Sequence, residues 1–353
     1  MKIRRVTTPT TDVLAARHES SGSWVDLDAA AAAFDPDVRG RLTADLLVFL
    51  ASRERGRDTA ERLMEAAIAE GVGVIDHPAG ALPYQPISLR CFLGWEQHWS
   101  QAAHQLVKRH LPAAMPAIRA YETLMRRDFP ALRPGSSFNR HPLYYTGNHL
   151  SIVADGAYLP WPSYTEALDF ELEFAMIVDR PVRDATEAQG ADAIGGFVIF
   201  NDVSARDVQW DEQRNGSFGP VVKTKTFASS MGSVVVTADE VLPRIDALTA
   251  SVVVDDETWS TTSTAGLRYS PGDTVAYASK GENLYAGELL ASGTLPSGCG
   301  LELDRWIRPG NVVTLEIEVI GSVANTVGGP ESTETGESPR GRDHAVDDPS
   351  HLF

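Results

Sequence analysis

The sequence predicts an α+β protein: a β-rich domain with a closed or rolled sheet, preceded by a smaller, partly helical N-terminal region. Three observations lead there. Between Tyr144 and Val327, short β-branched runs follow one another: LSIVADG, FELEFAMIV, GFVIFNDV, SVVVTA, ASVVVDD, DTVAY and NVVTLEIEVIG. Turn signals such as Pro271-Gly272-Asp273 and Pro309-Gly310-Asn311 separate them at short spacing, as strands of a compact sheet require. Upstream, apolar residues recur at helical spacing instead.

In chain order, the stretch to about Phe34 reads as a short strand or two around SSGSWVDLD and then an alanine-rich helix. Leu42 to Glu70 carries Leu46, Leu47, Leu50, Leu63, Ala66 and Ala67 on a helical period. His98 to Arg127 is again helix-like, with Pro112 and Pro116 expected to break it. RDFPALRPGSSFNRHP is proline-rich and polar and reads as a linker or long loop. The expected division is therefore an N-terminal region over 1–135, a catalytic domain over 136–327, and an acidic, disordered tail over 328–353.

Composition excludes several classes. With 43% apolar and 22% charged residues the chain has the make-up of a globular protein with a sizeable core. A net charge of −17 repels nucleic acid and anionic membranes, so neither is expected as a partner. Cys91 and Cys299 cannot form a disulfide framework. MKIRRVTTPT lacks a signal peptide's apolar stretch, and the longest apolar run, Leu46 to Ala51, is too short to span a bilayer. The expected location is the cytoplasm.

The chemistry-bearing residues are carboxylates. In a strand, Phe170-Glu171-Leu172-Glu173-Phe174 points two glutamates one way and three apolar residues the other. Taken alone, an ordinary amphipathic strand gives the same pair. The apolar run from Gly196 to Phe200 reads as a buried strand that delivers Asp202 at its end, where helix or turn capping is the competing role. Ser204 and Asp207 form a capping-box pattern for a helix starting there. Two adjacent strands can bring Glu171, Glu173 and Asp202 together. Three hard oxygen ligands suit Mg²⁺ first, with Mn²⁺ or Ca²⁺ as alternatives, and their mutual repulsion calls for such a cation.

Arg206 and Gln209 share one face of the following helix, beginning next to the proposed metal. Lys225 follows, with Lys223 as its competitor for any role. His98, His104 and His110 turn about 240° from one to the next on a helix, so they cannot share a face or form a three-histidine site. HExxH, GxSxG and P-loop patterns are absent from the sequence.

FELEF, NDVSARDVQ, KTKTF and SGTLPSGCGLEL resemble, in order and spacing, the fumarylacetoacetate hydrolase superfamily. Upstream, RCFLGWEQH is similar to that family's Arg-Asp-Phe…His segment, and HPLYYTGN to its tyrosine-bearing segment. The resemblance runs from about Leu89 to Val327. It implies rolled mixed sheets, a homodimer, and metal ligands at Glu171, Glu173 and Asp202. It assigns substrate or oxyanion contacts to Arg206, Gln209, Lys225 and Tyr145, with Thr294 in the glycine-rich loop. It further implies that His98, oriented by Glu302, activates water. One position departs from the family pattern: the hydrolase's additional ligand aspartate is Cys91 here, and a thiol is a poor partner for Mg²⁺ or Ca²⁺. Three protein carboxylates are therefore expected on the metal.

The expected reaction is metal-dependent hydrolysis of a C–C bond in a 1,3-diketone or acylpyruvate-like substrate, a small keto acid or diketone. Decarboxylation, isomerisation or hydration of a 2-oxo acid is the alternative within the family. A non-catalytic relative that kept the fold is the rival from another class.

Overall fold

The computed structural model describes residues 1–7, 11–40, 42–76, 81–215 and 222–330. Its centre is a twelve-stranded sheet, through which one path of hydrogen-bonded neighbours can be followed. That path begins at Val74–Ile75, Trp24–Asp26, Asp12–Arg17 and Lys2–Thr7. It continues through Val234–Thr237, Ile194–Asn201, Leu172–Val178, Glu288–Ala291, Ser88–Phe92 and Tyr144–Thr146. Ser229–Met231 and Ile152–Ala154 attach beside this path. Most pairs are antiparallel, but Glu288–Ala291 runs parallel to Ser88–Phe92, and Ser229–Met231 parallel to Ile152–Ala154. A second sheet of five strands is Glu257–Ser263, Thr249–Val254, Val312–Ile317, Gly321–Pro330 and Tyr158–Trp161. The protein is thus α+β with mixed sheets, helices being the minority.

Strand alternation explains why the central strands are apolar on both faces. From Leu172–Val178, the side chains of Leu172, Phe174, Met176 and Val178 enter a core shared with Val252, Val313 and Leu315 of the second sheet. Ala175 and Ile177 point the other way, into a core shared with Phe49, Leu50, Leu63 and Met64 of the N-terminal helices. Ile194–Asn201 divides likewise, Phe197 and Ile199 against Val198 and Phe200. A strand covered on both faces has no place for a polar face, so the run from Ile194 to Phe200 is apolar throughout.

Several elements differ from the sequence reading. The helical stretch before Glu70 is two helices, Leu46–Ala51 and Arg53–Glu70, the first capped by Asp45 through Leu47 N and Val48 N. The prolines divide the next stretch into Glu96–His110, a short 3₁₀ turn at Pro112–Ala114, and Met115–Met125. DTVAY is no strand: Pro271–Ala278 is a helix, and the Pro-Gly-Asp turn signal is its first turn. Ser270 Oγ accepts from Asp273 N at 3.0 Å while the Asp273 carboxylate accepts from Ser270 N, a local capping box that outweighs β-branched composition. Conversely, Ser204 caps nothing. Ser204–Ala205 pairs with Leu168–Asp169, Asp207 accepts from Thr165 Oγ1 and Glu166 N, and the helix begins at Arg206. Lys2–Thr7 hydrogen-bonds with Val234–Thr237, so the first residues sit in the same sheet as the central strands. The last strand runs to Pro330, and the rest of the expected tail, 331–353, lies outside the described residues. Among the described residues no helix is long and apolar enough to cross a membrane.

Candidate active site

The pairing register brings the carboxylates together. Leu172 faces Asn201 across the antiparallel pair, so Glu171 falls beside Asp202, whose N–H donates to Glu171 O at 3.2 Å. Asn201 Oδ1 accepts from Glu171 N at 3.0 Å and fixes the same junction. Two residues on, Glu173 points to the same face and accepts from Gly293 N at 3.1 Å. Gly293 has φ +87°, and a Cβ there would meet Phe92 O at 2.4 Å, so only glycine supplies that donor unstrained. Glu171, Glu173 and Asp202 are all buried, with one oxygen of each within 4.8 Å of the others.

Two buried cations face this cluster. Lys225 Nζ donates to Asp202 Oδ2 at 2.6 Å and to Glu171 Oε2. Arg206 Nη2 lies 2.7 Å from Glu171 Oε1, its Nε donates to Asp169 Oδ2 at 2.8 Å, and its Nη1 to Gln209 Oε1 at 2.9 Å. Burial works against ionising Glu171, yet Lys225 and Arg206 hold its carboxyl down at about 2. Glu173 has no such partner: burial, then the charges of Asp202 and Glu171, push it well above the ordinary carboxylate range.

The cluster fits a divalent cation on three grounds. Fully ionised, the four carboxylates Asp169, Glu171, Glu173 and Asp202 against Lys225 and Arg206 leave an excess of two negative charges, 4 − 2. Asp202 Oδ1 is buried with no hydrogen-bond partner, an orphan of the kind a missing ligand satisfies. The donors are all hard oxygens.

The other sequence-nominated residues gather around the cluster. Tyr145, opposite Cys91 in the Ser88–Phe92 and Tyr144–Thr146 pair, donates to Asp202 Oδ2 at 2.5 Å. Cys91 is buried, and burial, with Asp202 and Glu173 nearby, raises its thiol well above its usual range, so it stays protonated. His98, in the first turn of Glu96–His110, has Nδ1 3.0 Å from Glu302 Oε2. That contact is a close approach without a well-aligned N–H···O bond. One cavity of about 440 Å³ is lined by Cys91, His98, Tyr145, Thr294, Gln209 and the carboxylate–cation cluster, and Glu302 stands behind His98 outside its lining. Of the two lysines, Lys225 lies at the carboxylates, whereas Lys223 is exposed, its Nζ 5.6 Å from the Tyr164 ring. His104 pairs with Glu122 and His110 stacks on Trp210, away from His98.

Two supporting carboxylates escaped the sequence reading. Asp169 accepts four N–H groups: Phe170 N and Gly300 N on Oδ1, Leu301 N and Arg206 Nε on Oδ2, all at 2.8–2.9 Å. It thereby ties the turn carrying Glu302 to Arg206. Glu212 accepts from the N–H groups of Val222, Lys223 and Thr224 and from Thr224 Oγ1, fixing the turn that presents Lys225. A charge set among apolar residues immediately before FELEF was the available signal for Asp169. Glu212 had none, because its partners lie 10 to 12 positions further along the chain.

A model of the fumarylacetoacetate hydrolase C-terminal domain matches residues 124–328. An oxaloacetate tautomerase of Bacillus subtilis is 26% identical over 227 residues, 63% of this chain and 73% of the relative. A mitochondrial oxaloacetate tautomerase of Rattus norvegicus is 27% identical over 190 residues, 53% of this chain and 59% of the relative. Among solved structures, a fumarylacetoacetate hydrolase from Exiguobacterium antarcticum superposes with a TM-score of 0.63 at 23% identity, over 93% of this chain and 99% of the other. A fumarylpyruvate hydrolase from Pseudomonas aeruginosa, solved with Mn²⁺ and pyruvate, gives 0.50 at 20% identity, over 70% and 98%. The matched span holds the carboxylate cluster, Arg206, Lys225 and the Glu302 turn, and by it the chain belongs to the fumarylacetoacetate hydrolase family.

Proposed function

We propose that the protein is a metal-dependent hydrolase that cleaves a C–C bond in a 1,3-diketone or acylpyruvate-like substrate. The observation that carries this reading is His98, paired through Nδ1 with Glu302 at 3.0 Å and lining the cavity that holds the three carboxylates. With its proton on Nδ1, where the Glu302 charge would stabilise it, the ring would present Nε2 as the acceptor. Decarboxylation needs no such base for water.

Glu171, Glu173 and Asp202 would hold the divalent ion, Mg²⁺ first, Mn²⁺ or Ca²⁺ as alternatives. Bound there, the ion supplies Lewis-acid polarisation of the substrate's oxygens. His98 Nε2 takes a proton from water, and the resulting hydroxide adds to the acyl carbonyl carbon. Lys225 and Arg206 place positive charge beside the oxygen that turns negative, and Gln209 steadies Arg206 through its Nη1. The C–C bond breaks as the carbonyl re-forms, its electron pair passing to the pyruvyl half. His98 returns its proton to that carbon, giving pyruvate, and the carboxylic acid left by the acyl half loses its own proton to solvent. Tyr145 and Thr294 bound the substrate pocket, Tyr145 orienting Asp202 through its hydroxyl.

Tautomerisation of a 2-oxo acid in the same pocket is the second reading, favoured by the relatives named as oxaloacetate tautomerases. Incubation with Mg²⁺ or Mn²⁺ and an acylpyruvate in ¹⁸O-water, followed by mass spectrometry, separates the two. Hydrolysis yields pyruvate and a second acid carrying ¹⁸O. Keto–enol exchange without fragments supports the tautomerase reading, and loss of CO₂ alone excludes hydrolysis. A homodimer belongs to the same proposal, and size-exclusion chromatography with light scattering reads it.

A further inference from the structure

We infer that the acyl end of the substrate is an uncharged, apolar chain or ring, bound against the hydrocarbon part of the active-site cavity's lining. The inference rests on the acylpyruvate reading for the head group alone. The cavity of about 440 Å³ is a single space whose lining combines the three carboxylates, Arg206 and Lys225 with a set of hydrocarbon side chains, where the polar groups are uncharged: the Gln213 amide and the indole N–H of Trp99. Helix Glu96–His110 builds most of that wall. Trp99, Ala103, Leu106 and Val107 recur at three- and four-residue spacing on the face that looks into the cavity. Leu132 and Trp210 add to it from neighbouring segments. Leu106 and Trp210 also pack into one apolar cluster with Leu301.

Charge decides what such a wall accepts. A tail ending in a second carboxylate is strongly disfavoured against such a wall unless a cation pairs with it, because neutral donors such as the Trp99 and Gln213 N–H groups compensate a buried charge only in part. Among the described lining residues the basic side chains are Arg206 and Lys225, both already bound to carboxylates of the cluster, and the imidazole of His98. Arg90, behind Tyr144, is bound by Glu282 and does not line the cavity. Helix Glu96–His110 points Lys108 to Asp304 and Arg109 over Trp306, outside the wall. His110, stacked on Trp210 at 4.5 Å, has its pKa lowered by burial and then by Arg109, so it adds no charge behind the wall at neutral pH.

The test compares two series of acylpyruvates on the metal-loaded protein by pyruvate release. One carries alkanoyl tails from acetyl to hexanoyl, the other tails of matched length ending in a carboxylate. With neutral tails kcat/KM should rise about fourfold per methylene until the cavity is filled, and each terminal carboxylate should lower it tenfold or more. Carboxylate tails turned over as well as neutral ones would overturn the inference. If no compound releases pyruvate, the hydrolase reading fails by itself. Titration calorimetry with the same, then uncleaved, compounds still ranks neutral against charged tails. Ala103→Arg places a cation in the wall and should shift the preference tenfold or more toward carboxylate tails, with Ala103→Leu as the uncharged control. An unchanged preference in folded Ala103→Arg counts against the proposal, and if that variant does not fold the wild-type series decides.

Discussion

Asp169 and Arg206 form a fully buried pair, Arg206 Nε to Asp169 Oδ2 at 2.8 Å, and it joins the two halves of the site. On one side Arg206 reaches Glu171; on the other Asp169 receives Gly300 N and Leu301 N from the turn that carries Glu302. Both oxygens of Asp169 are occupied by N–H donors, so an amide at this position must turn an NH₂ toward another donor.

Asp169→Asn should therefore destabilise the fold and misplace the site. Removing one partner of a buried ion pair costs about 3–5 kcal/mol, and chemical denaturation measures it. Folded residual protein should show a lowered kcat with little change in KM, since the lost alignment concerns His98 and Arg206 more than substrate contact. A loss below about 1 kcal/mol with wild-type turnover would show that Asp169 is a bystander.

Removing a ligand should separate metal binding from folding. Asp202→Asn and Glu173→Gln are expected to abolish Mn²⁺ binding by calorimetry while leaving far-UV dichroism unchanged. In the wild type, adding the ion at a hundredfold excess over its Kd should stabilise the fold by about 2.7 kcal/mol, and chelation should reverse this and stop turnover. Full activity after exhaustive chelation would refute the metal assignment.

His98→Ala makes the complementary case. It removes the base but none of the three carboxylates, so Mn²⁺ affinity should persist while hydrolysis falls about 10²–10⁴-fold. Glu302→Gln should fall less, because the imidazole remains and only its orienting charge is lost. If His98→Ala lost metal and activity together, the histidine would belong to the ligand set.

How much was legible beforehand depends on whether the determining contacts were local. Glu171 and Glu173 could be placed on one face from strand alternation alone, and their meeting with Asp202 follows from the Leu172 and Asn201 register. For Asp169 a charge among apolar residues was the one local hint, and its role stayed hidden because three of its four partners lie 37, 131 and 132 positions away. The pairing of His98 with Glu302 was likewise inaccessible to spacing and came only from family resemblance. The misread DTVAY segment shows a local error, since Val275 and Tyr277 favour a strand by composition while Ser270 and Asp273 cap a helix. The apolar wall of the cavity was present as periodicity in Glu96–His110, but periodicity does not say which face meets solvent, core or ligand.

A pH effect should arise at His104, one face away from the site. Its Nδ1 contacts Ser100 O and its Nε2 contacts Glu122 Oε1, each at 2.6 Å. Two acceptors favour the doubly protonated ring. Burial opposes that charge, but the Ser100 carbonyl, Glu122 and Asp128 outweigh it, and the pKa is raised. A group whose folded pKa lies above its unfolded value stabilises fully below the unfolded value, about 6.5, and loses that contribution as pH rises through the folded value. The pair fastens Glu96–His110, which carries His98, to Met115–Met125. Wild type should therefore melt higher than His104→Gln at pH 6, and the gap should shrink by pH 9. Hydrogen exchange in Met115–Met125 should quicken over the same range in the wild type more than in the variant. A gap that widens with pH would reverse the sign of the linkage and rule out a protonated His104 as the fastening.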